Sequence, residues 1–374
     1  MKRKLITCIL AAIITLISAV PTAAASEQQL ADSAQGAVLM ERTTGKVLYY
    51  KSAHEKLPMA STTKIMTCIL AIENGQLDEV IEVDDAAYAI EGSSIYLKKN
   101  ERISVRDLLY GLMLASGNDA AVALACHVGG SVEGFAEIMN KKAKSIGCMN
   151  TNFVTPNGLH DDAHYTTAYD LGLIACYAMG NETFREVVGT TYYKSETGEI
   201  TRTWKNKNKI LWQYEGGNGV KTGYTMRAGK CLVFSAMRDS MEVVGVVLND
   251  PNMFNDAKSM LDYGLDNFSM AKVLSAGEVI ARARVFNGRK NVLALELKDN
   301  IMIPVSNDEY ANLIPRIITA DAINAPVTKG EVLGTLEIWE EDKLLVKSDL
   351  VAAQDIDAVS FEYFWNRVIK RFVA

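Results

Sequence analysis

The sequence predicts an α+β fold followed by a smaller, β-rich C-terminal domain. Strand-like runs occur at residues 37–50 and again at 232–248, whereas the stretch between them has the apolar periodicity of helices. Strands at both ends of a helical segment are typical of an antiparallel sheet with flanking helices and a helical insert. After residue 270 the pattern changes to short alternating strands, which predict the second domain.

Residues 1–25 predict a signal peptide. Three basic residues at positions 2–4 precede an apolar run from Leu5 to Val20, and Ala23-Ala24-Ala25-Ser26 follows as the expected cleavage site. The apolar run is short for a membrane span, although an uncleaved anchor is the alternative. Removal of this segment changes the formal net charge from −6 to −9. An acidic exported protein is a poor binder of nucleic acids.

Residues 26–268 form the first predicted domain. A Thr-Gly turn joins two strands between Ala37 and Tyr50, and helical periodicity then continues to about Gly180. The predicted helices span 108–114, 120–127, 132–146 and 168–179, and they precede strands at 232–237 and 243–248 and a closing helix at 257–265. The chain is long enough to bury a sizeable core in two domains.

The second domain is predicted at residues 270–353. It has alternating strands such as 279–285 and 332–339, with turns at Asn287-Gly288 and Lys329-Gly330. We identify no nucleophile, base or metal cluster in this part of the sequence.

The tail, residues 357–374, predicts an amphipathic helix. One predicted helical face is apolar and consists of Phe361, Phe364, Trp365, Val368, Ile369 and Phe372. The opposite face is polar and basic and consists of Asn366, Arg367, Lys370 and Arg371. The segment is too short and too charged to span a bilayer, so we expect it to lie on an anionic membrane surface. A helix packed on its own domain is the alternative.

The cysteines and histidines predict neither a disulfide framework nor a metal site. Five cysteines follow the signal peptide, mostly in apolar stretches, and we expect buried free thiols: Cys68, Cys126, Cys148, Cys176 and Cys231. The four histidines lack the spacing of metal ligands; His160 and His164 come closest but follow a loop signal. We therefore expect no metal and no cofactor.

Ser61 and Lys64 are the first candidates for chemistry. They precede an apolar run through Ile72, and if a helix starts at Ser61, their i,i+3 spacing places both side chains on one face. A hydroxyl nucleophile beside an amine base, at a helix start whose N–H groups suit an oxyanion, indicates acyl transfer. The alternative is a helix N-cap with a solvated lysine, because Ser-x-x-Lys is short and recurs at Ser269-Lys272.

Two further motifs favour the catalytic interpretation. Ser116-Gly117-Asn118 lies between two helical runs, where side chains project into a cleft, and Lys221-Thr222-Gly223 precedes a strand-like run at Cys231–Phe234. Each motif is weak alone. Together with Ser61 and Lys64, and in this order, they match the motif set of penicillin-binding proteins and serine β-lactamases.

The chain resembles the low-molecular-mass penicillin-binding proteins, which are serine D-alanyl-D-alanine carboxypeptidases. The resemblance extends from about Ala37 to the C-terminus and includes Gly92-Ser93-Ser94, the run 107–121, Pro156-Asn157-Gly158-Leu159 and the run 221–229. It implies a penicillin-binding/β-lactamase-like transpeptidase domain. It also implies an enzyme at the extracytoplasmic face of the cell membrane or in the cell wall, with peptidoglycan stem peptides as substrates and β-lactam antibiotics as acylating inhibitors.

The resemblance assigns roles to the motif residues. It implies Ser61 as nucleophile, Lys64 as base and Ser116 in the proton relay, with Asn118, Lys221, Thr222, Gly223 and Tyr224 in substrate binding and the N–H groups of Ser61 and Tyr224 in the oxyanion hole. Lys64 acts as a base only when neutral. Burial and the positive charge of Lys221 both change its pKa in that direction.

One position departs from the family pattern. Related carboxypeptidases usually carry an arginine for the substrate carboxylate a few residues before the closing helix, and Met253 stands there, with Arg227 as the nearest substitute in sequence. Three alternatives stay open: a D,D-endopeptidase, a serine β-lactamase, and a non-catalytic wall-binding scaffold. The β-lactamase would need a glutamate-bearing loop that we cannot place between Ser116 and Lys221.

Overall fold

The computed structural model describes residues 30–198, 200–306, 313–320 and 322–373. The predicted signal peptide lies outside the described residues. The chain divides into two compact units between Asn267 and Phe268. An α+β unit followed by a β-rich unit was predicted from the sequence, and this fold class is confirmed.

The first unit contains strands and helices in alternating blocks. Its strands are β1 (Gly36–Glu41), β2 (Val47–Lys51), β3 (Val80–Glu82), β4 (Arg102–Ser104), β5 (Tyr192–Lys194), β6 (Thr203–Lys205), β7 (Gly217–Thr225), β8 (Gly229–Arg238) and β9 (Met241–Leu248). Its helices are α1 (Lys64–Asn74), α2 (Val105–Tyr110), α3 (Asn118–Gly129), α4 (Val132–Ile146), α5 (Ala168–Ala178), α6 (Glu182–Gly189), α7 (Ile210–Gln213) and α8 (Met253–Asn267).

A five-stranded antiparallel sheet, in the order β2-β1-β9-β8-β7, organises this unit. Side chains of β1 alternate between its two faces, as in any strand. Val38 and Met40 contact α5 at Gly172, whereas Leu39 contacts α8 at Gly264. The sheet is therefore covered by helices on both faces, and β1 and β9 are buried along their whole length.

Helix α1 lies at the centre of the helical layer. Its first eight residues, Lys64–Ala71, are all buried, and among them Ile65, Cys68 and Ile69 belong to the main hydrophobic core. Burial of apolar side chains on every face of α1 fixes its position firmly. Lys64, the first residue of α1, is buried together with these apolar side chains.

The second unit is built from β10 (Phe268–Leu274), β11 (Val279–Phe286), β12 (Val292–Leu297), β13 (Ile301–Ser306), β14 (Leu313–Thr319), β15 (Ile323–Asn324), β16 (Val332–Glu340), β17 (Lys343–Ala352) and α9 (Phe361–Val373). β10 pairs with β13, and the other strands form a six-stranded sheet in the order β14-β16-β17-β12-β11-β15. Leu293, Leu295 and Leu350 are fully buried in its core. Among the described residues, no helix has the length and hydropathy that crossing a membrane requires.

Candidate active site

Ser61 lies in a tight turn that leads into α1. We expected a helix to start at Ser61, but residues 60–63 form a 3-10 turn and α1 begins at Lys64. The hydroxyls of Thr62 and Thr63 donate to the carbonyls of Met59 and Ala60, at 2.6 and 2.8 Å. These two hydroxyls are thus held by the backbone, whereas the Ser61 hydroxyl, partly exposed, faces Lys64.

The side-chain nitrogen of Lys64 lies among neutral oxygen atoms. It lies 3.0 Å from Ser61 Oγ, 2.7 Å from Asn118 Oδ1 and 2.6 Å from the carbonyl oxygen of Asn157. The side chain is fully buried, and its burial, followed by the positive charge of Lys221, lowers the pKa of Lys64 well below 10.5. Lys64 can therefore hold a neutral amine, as expected from the sequence.

Ser116 and Lys221 form a second hydroxyl–amine pair. Ser116 has a left-handed backbone (φ +66°) between a π-helical turn at Gly111–Ala115 and α3. This conformation turns its side chain toward Lys221, whose Nζ lies 3.0 Å from Ser116 Oγ. Burial, followed by the nearby charge of Lys207, lowers the pKa of Lys221 to about 7. Both candidate proton carriers are thus amines whose charge the protein disfavours.

Asn118 joins this pair to Ser61 and Lys64. Its side-chain oxygen accepts from Lys64, and its Nδ2 donates to the carbonyl of Glu91 at 2.7 Å. Its backbone N–H donates to the carbonyl of Ser93 at 2.7 Å. The amide is therefore fixed in one orientation, and the loop at residues 91–93 is held beside the site.

Strand β7 forms the opposite wall of the site. It is one of the two edge strands of the sheet and carries Lys221, Thr222, Gly223 and Tyr224, of which Thr222 is partly exposed and Tyr224 is 65 % exposed. A Cβ atom at Gly223 would lie 3.1 Å from the backbone nitrogen of Ser61. The absence of a side chain at Gly223 thus permits β7 to pass directly beside the nucleophile turn.

The sequence did not assign a role to the loop at Asn157 and Gly158, although both belong to a motif that supported the resemblance. Asn157 supplies a carbonyl to Lys64. Gly158 has a left-handed backbone (φ +83°), and a Cβ atom there would lie 1.9 Å from the carbonyl oxygen of Ala60. Only glycine fits this contact, so the loop supports the nucleophile turn from behind.

The spacing of His164 in the sequence was tested only against that of metal ligands, but in the structure His164 stabilises the same turn. Its Nδ1 accepts from the Val154 N–H at 3.0 Å, and its Nε2 lies 2.8 Å from Thr63 Oγ1. Burial lowers the pKa of His164 to about 4, so the ring is neutral at pH 7. Nε2 then donates to Thr63, which in turn donates to Ala60. Among the described residues, no cluster of three or more metal-ligating side chains occurs.

The cysteines are free, as predicted, and all except the partly exposed Cys126 are buried.

Met253 is the first residue of α8, and Arg227 is exposed in the turn between β7 and β8. The site has one further lysine that the sequence did not single out. Lys207 donates to the carbonyl of Ala115 at 2.8 Å, directly before Ser116.

Comparison with known proteins agrees with this arrangement. The family model for D-alanyl-D-alanine carboxypeptidase matches residues 22–252, and the model for the penicillin-binding protein 5, C-terminal domain matches residues 268–358. The chain belongs to the D-alanyl-D-alanine carboxypeptidase family. The predicted family and the predicted enzyme class, a serine-type D-alanyl-D-alanine carboxypeptidase, are both confirmed.

Similar proteins cover both units of this carboxypeptidase. D-alanyl-D-alanine carboxypeptidase DacF of Bacillus subtilis is 35 % identical over 386 residues, with 99 % of this chain and 98 % of the relative covered. DacC of Escherichia coli is 31 % identical, with 94 % and 92 % covered. The crystal structure of penicillin-binding protein 5 from Haemophilus influenzae has a TM-score of 0.70 at 29 % identity, with 91 % of this chain and all of that chain covered.

Proposed function

We propose that this protein removes the terminal D-alanine from peptidoglycan pentapeptide stems, with Ser61 as nucleophile and Lys64 as base. The observation that carries the assignment is the 3.0 Å contact between Ser61 Oγ and Lys64 Nζ, in which the lysine is buried among neutral oxygens. A lysine in this environment resists protonation and can accept the serine proton. Membership in the carboxypeptidase family supports the same substrate.

The reaction then proceeds in two steps. Ser61 Oγ forms an ester bond with the carbonyl carbon of the penultimate D-alanine while its proton passes to Lys64. The bond to the nitrogen of the last D-alanine breaks, and that nitrogen takes a proton as it leaves. A water molecule hydrolyses the ester, which returns the proton to Ser61 and releases the shortened stem.

We assign to Ser116 and Lys221 the delivery of the proton to the leaving amine. Lys64 and Lys221 both contact the Ser116-Gly117-Asn118 segment, since Lys64 bonds to Asn118 and Lys221 bonds to Ser116. We propose that the proton passes from Lys64 to the Ser116 hydroxyl when substrate is bound. We assign Asn118 to the substrate amide, and Lys221 with Thr222 to the terminal carboxylate.

The oxyanion is proposed to bind between the N–H groups of Ser61 and Tyr224. β7 passes beside Ser61 at Gly223, and Tyr224 is the next residue of this edge strand. Backbone N–H groups that are already oriented stabilise the tetrahedral intermediate without reorganisation. A β-lactam would acylate Ser61 by the same route, and its opened ring stays attached to the acyl group.

Penicillin labelling tests the choice of serine. Ser61→Ala should abolish labelling by a fluorescent penicillin and the release of D-alanine, while the fold is retained, since one hydrogen bond is worth about 1 kcal/mol. Ser269→Ala is the matched control, because Ser269 also precedes a lysine by three residues but lies in β10. Labelling that persists in Ser61→Ala would show that Ser61 is not the nucleophile.

Digestion of purified muropeptides separates the related activities. Loss of one alanine from pentapeptides indicates a carboxypeptidase, whereas separation of cross-linked dimers indicates an endopeptidase. Rapid release of hydrolysed penicillin would instead indicate a β-lactamase. No label and no digestion by the wild type would contradict the enzyme assignment.

We also propose that the protein acts at the extracytoplasmic face of the membrane, held there by α9. Phe361, Phe364, Trp365 and Ile369 are 79, 57, 54 and 44 % exposed. A helix with exposed aromatic side chains, in a segment whose sequence is basic toward its end, suits the interface of an anionic bilayer. Export through the proposed signal peptide at residues 1–25 would place the enzyme beside peptidoglycan.

A further inference from the structure

Outside the active site, two aspartates and a serine bring their side-chain oxygens together. Ser33 Oγ lies within hydrogen-bond distance of Asp250 Oδ1 and 3.0 Å from Asp256 Oδ2. Ser33 precedes β1, Asp250 follows the end of β9, and Asp256 lies in the first turn of α8. Ser33 is separated from the two aspartates by 217 and 223 residues, so no spacing motif could indicate this group. We call these three residues the Asp250 cluster.

The hydrogen atoms of the cluster are too few for its oxygens. A hydroxyl carries one hydrogen and an ionised carboxylate only accepts, so Ser33 can donate to one of the two aspartates but not to both at once. Asp250 Oδ1 also accepts from the Asn252 N–H at 2.9 Å. Its other oxygen, Oδ2, is buried and has no hydrogen-bond partner among the described residues. Asp250 is 0 % exposed, and a buried carboxylate oxygen without a partner is costly, so this arrangement suits a positively charged ligand.

The protein itself does not balance the charge of the two aspartates. In the part of the chain that the structure describes, neither carboxylate forms an ion pair with a basic side chain. Lys230 is close in the fold, but its ammonium donates to the carbonyl of Pro251 at 3.0 Å. Burial raises the pKa of Asp250, and the neighbouring charge of Asp256 acts in the same direction. The two carboxylates therefore repel each other, and a cation bound to both would remove this repulsion.

The backbone around the cluster is held by hydrogen bonds. The Gln35 N–H donates to the carbonyl of Leu248 at 3.1 Å, and the Asp250 N–H donates to the carbonyl of Lys230 at 2.8 Å. The side chain of Asn249 donates to Gln35 Oε1 at 2.9 Å. The segment before β1 and the end of β9 are thus fixed to each other, and the oxygens of the cluster are positioned before any ligand binds.

We propose that the Asp250 cluster binds a divalent cation, Ca²⁺ or Mg²⁺. Both cations prefer oxygen ligands, above all carboxylates, and complete their coordination with water. Asp250 and Asp256 supply two carboxylates and Ser33 supplies a hydroxyl, without the nitrogen or sulfur ligands that favour zinc or copper. Because two carboxylates are few, water completes the coordination and binding is weak. The cation joins the segment before β1 to the connection between β9 and α8.

Thermal unfolding of the purified protein tests the site. After treatment with EDTA and its removal, about 10 mM CaCl₂ or MgCl₂ should raise Tm by about 3–10 °C, as expected for a Kd of about 0.1–1 mM. NaCl at the same ionic strength should change Tm by less than about 1 °C, since screening alone does not fill a site. Calorimetric titration with CaCl₂ should show one binding site per chain.

Variants locate the site. Asp256→Asn removes one charge at nearly constant shape and should abolish both the cation-dependent rise in Tm and the calorimetric binding. Ser33→Ala should weaken binding without abolishing it, because both carboxylates remain. Asp262→Asn is the matched control, since Asp262 lies in the same helix but accepts from Tyr214 Oη at 2.8 Å. This control should retain the full rise in Tm.

Three results would overturn the inference. No rise in Tm and no calorimetric binding in the wild type would show that Asp250 and Asp256 share a proton instead of a cation. An equal rise in Asp256→Asn would show that the cation binds elsewhere. An equal rise with NaCl would show general screening of charge. None of these results would alter penicillin labelling of Ser61, so the cation site and the proposed function are tested separately.

Discussion

Replacement of Lys221 by methionine should stabilise the protein, even though it damages the active site. Lys221 is 1 % exposed, and burial together with the charge of Lys207 lowers its pKa from 10.5 to about 7. In the unfolded chain the same lysine keeps its ordinary pKa and is protonated. Folding at neutral pH must therefore bury or discharge a cation that water stabilises.

The pKa difference gives the size of the effect. A decrease from 10.5 to about 7 corresponds to a cost of about 5 kcal/mol at and below pH 7. Methionine removes the charge at similar length but loses the hydrogen bonds to Ser116 Oγ and to the carbonyl of Thr222, which together are worth about 2 kcal/mol. A net gain of about 3 kcal/mol would raise Tm by roughly 6–12 °C in a unit of this size.

The dependence on pH has a definite sign. Between pH 7 and 10.5 the unfolded chain binds more protons at Lys221 than the folded protein, so the free energy of unfolding of the wild type rises with pH across this window. The advantage of Lys221→Met should be largest at pH 7 and below, and should disappear as the pH approaches 10.5.

Urea unfolding at pH 7 and at pH 10 measures this difference. Lys209→Met is the control, because it replaces an exposed lysine and leaves Lys221 in place. A Lys221→Met variant that is less stable than the wild type at pH 7, or whose advantage is the same at both pH values, would refute the reasoning.

Three further variants test separate parts of the structure. Lys64→Arg should lower acylation by penicillin at least 100-fold at neutral pH, since a guanidinium does not deprotonate to act as a base; stopped-flow rates near those of the wild type would contradict this role. Gly158→Ala should lower the free energy of unfolding by at least about 2 kcal/mol and slow acylation, because the new methyl group meets the carbonyl of Ala60; an unchanged Tm would disprove the tight contact. Deletion of residues 357–374 should release the mature protein from anionic vesicles in a sedimentation assay, with turnover of a soluble peptide near that of the wild type. Continued binding, or unfolding of the truncated protein, would show that α9 packs on its own domain instead.

Local signals in the sequence were sufficient for several of the regular elements, although not for α6. α4 illustrates this, since its apolar stripe is framed by a Ser131 side chain that accepts from Gly134 N–H and by Gly147 with a left-handed backbone. The start of α1 was wrong by three residues. Ala60 has a left-handed backbone (φ +48°) and contacts Gly158, so a distant loop, and not the propensity of the residues, determines the turn there.

The sequence by itself determined the chemistry that the site can hold, because serine, lysine and asparagine at the motif spacings carry the required groups in a recognisable order. Only the tertiary structure decided which of these groups meet and what their charges are. Asn157 lies 93 residues from Lys64, and Lys207 contacts a carbonyl 92 residues away, so neither neighbour follows from local periodicity. The lowered pKa values arise from burial and from cation–cation proximity, and both are properties of the packed chain and not of any single segment.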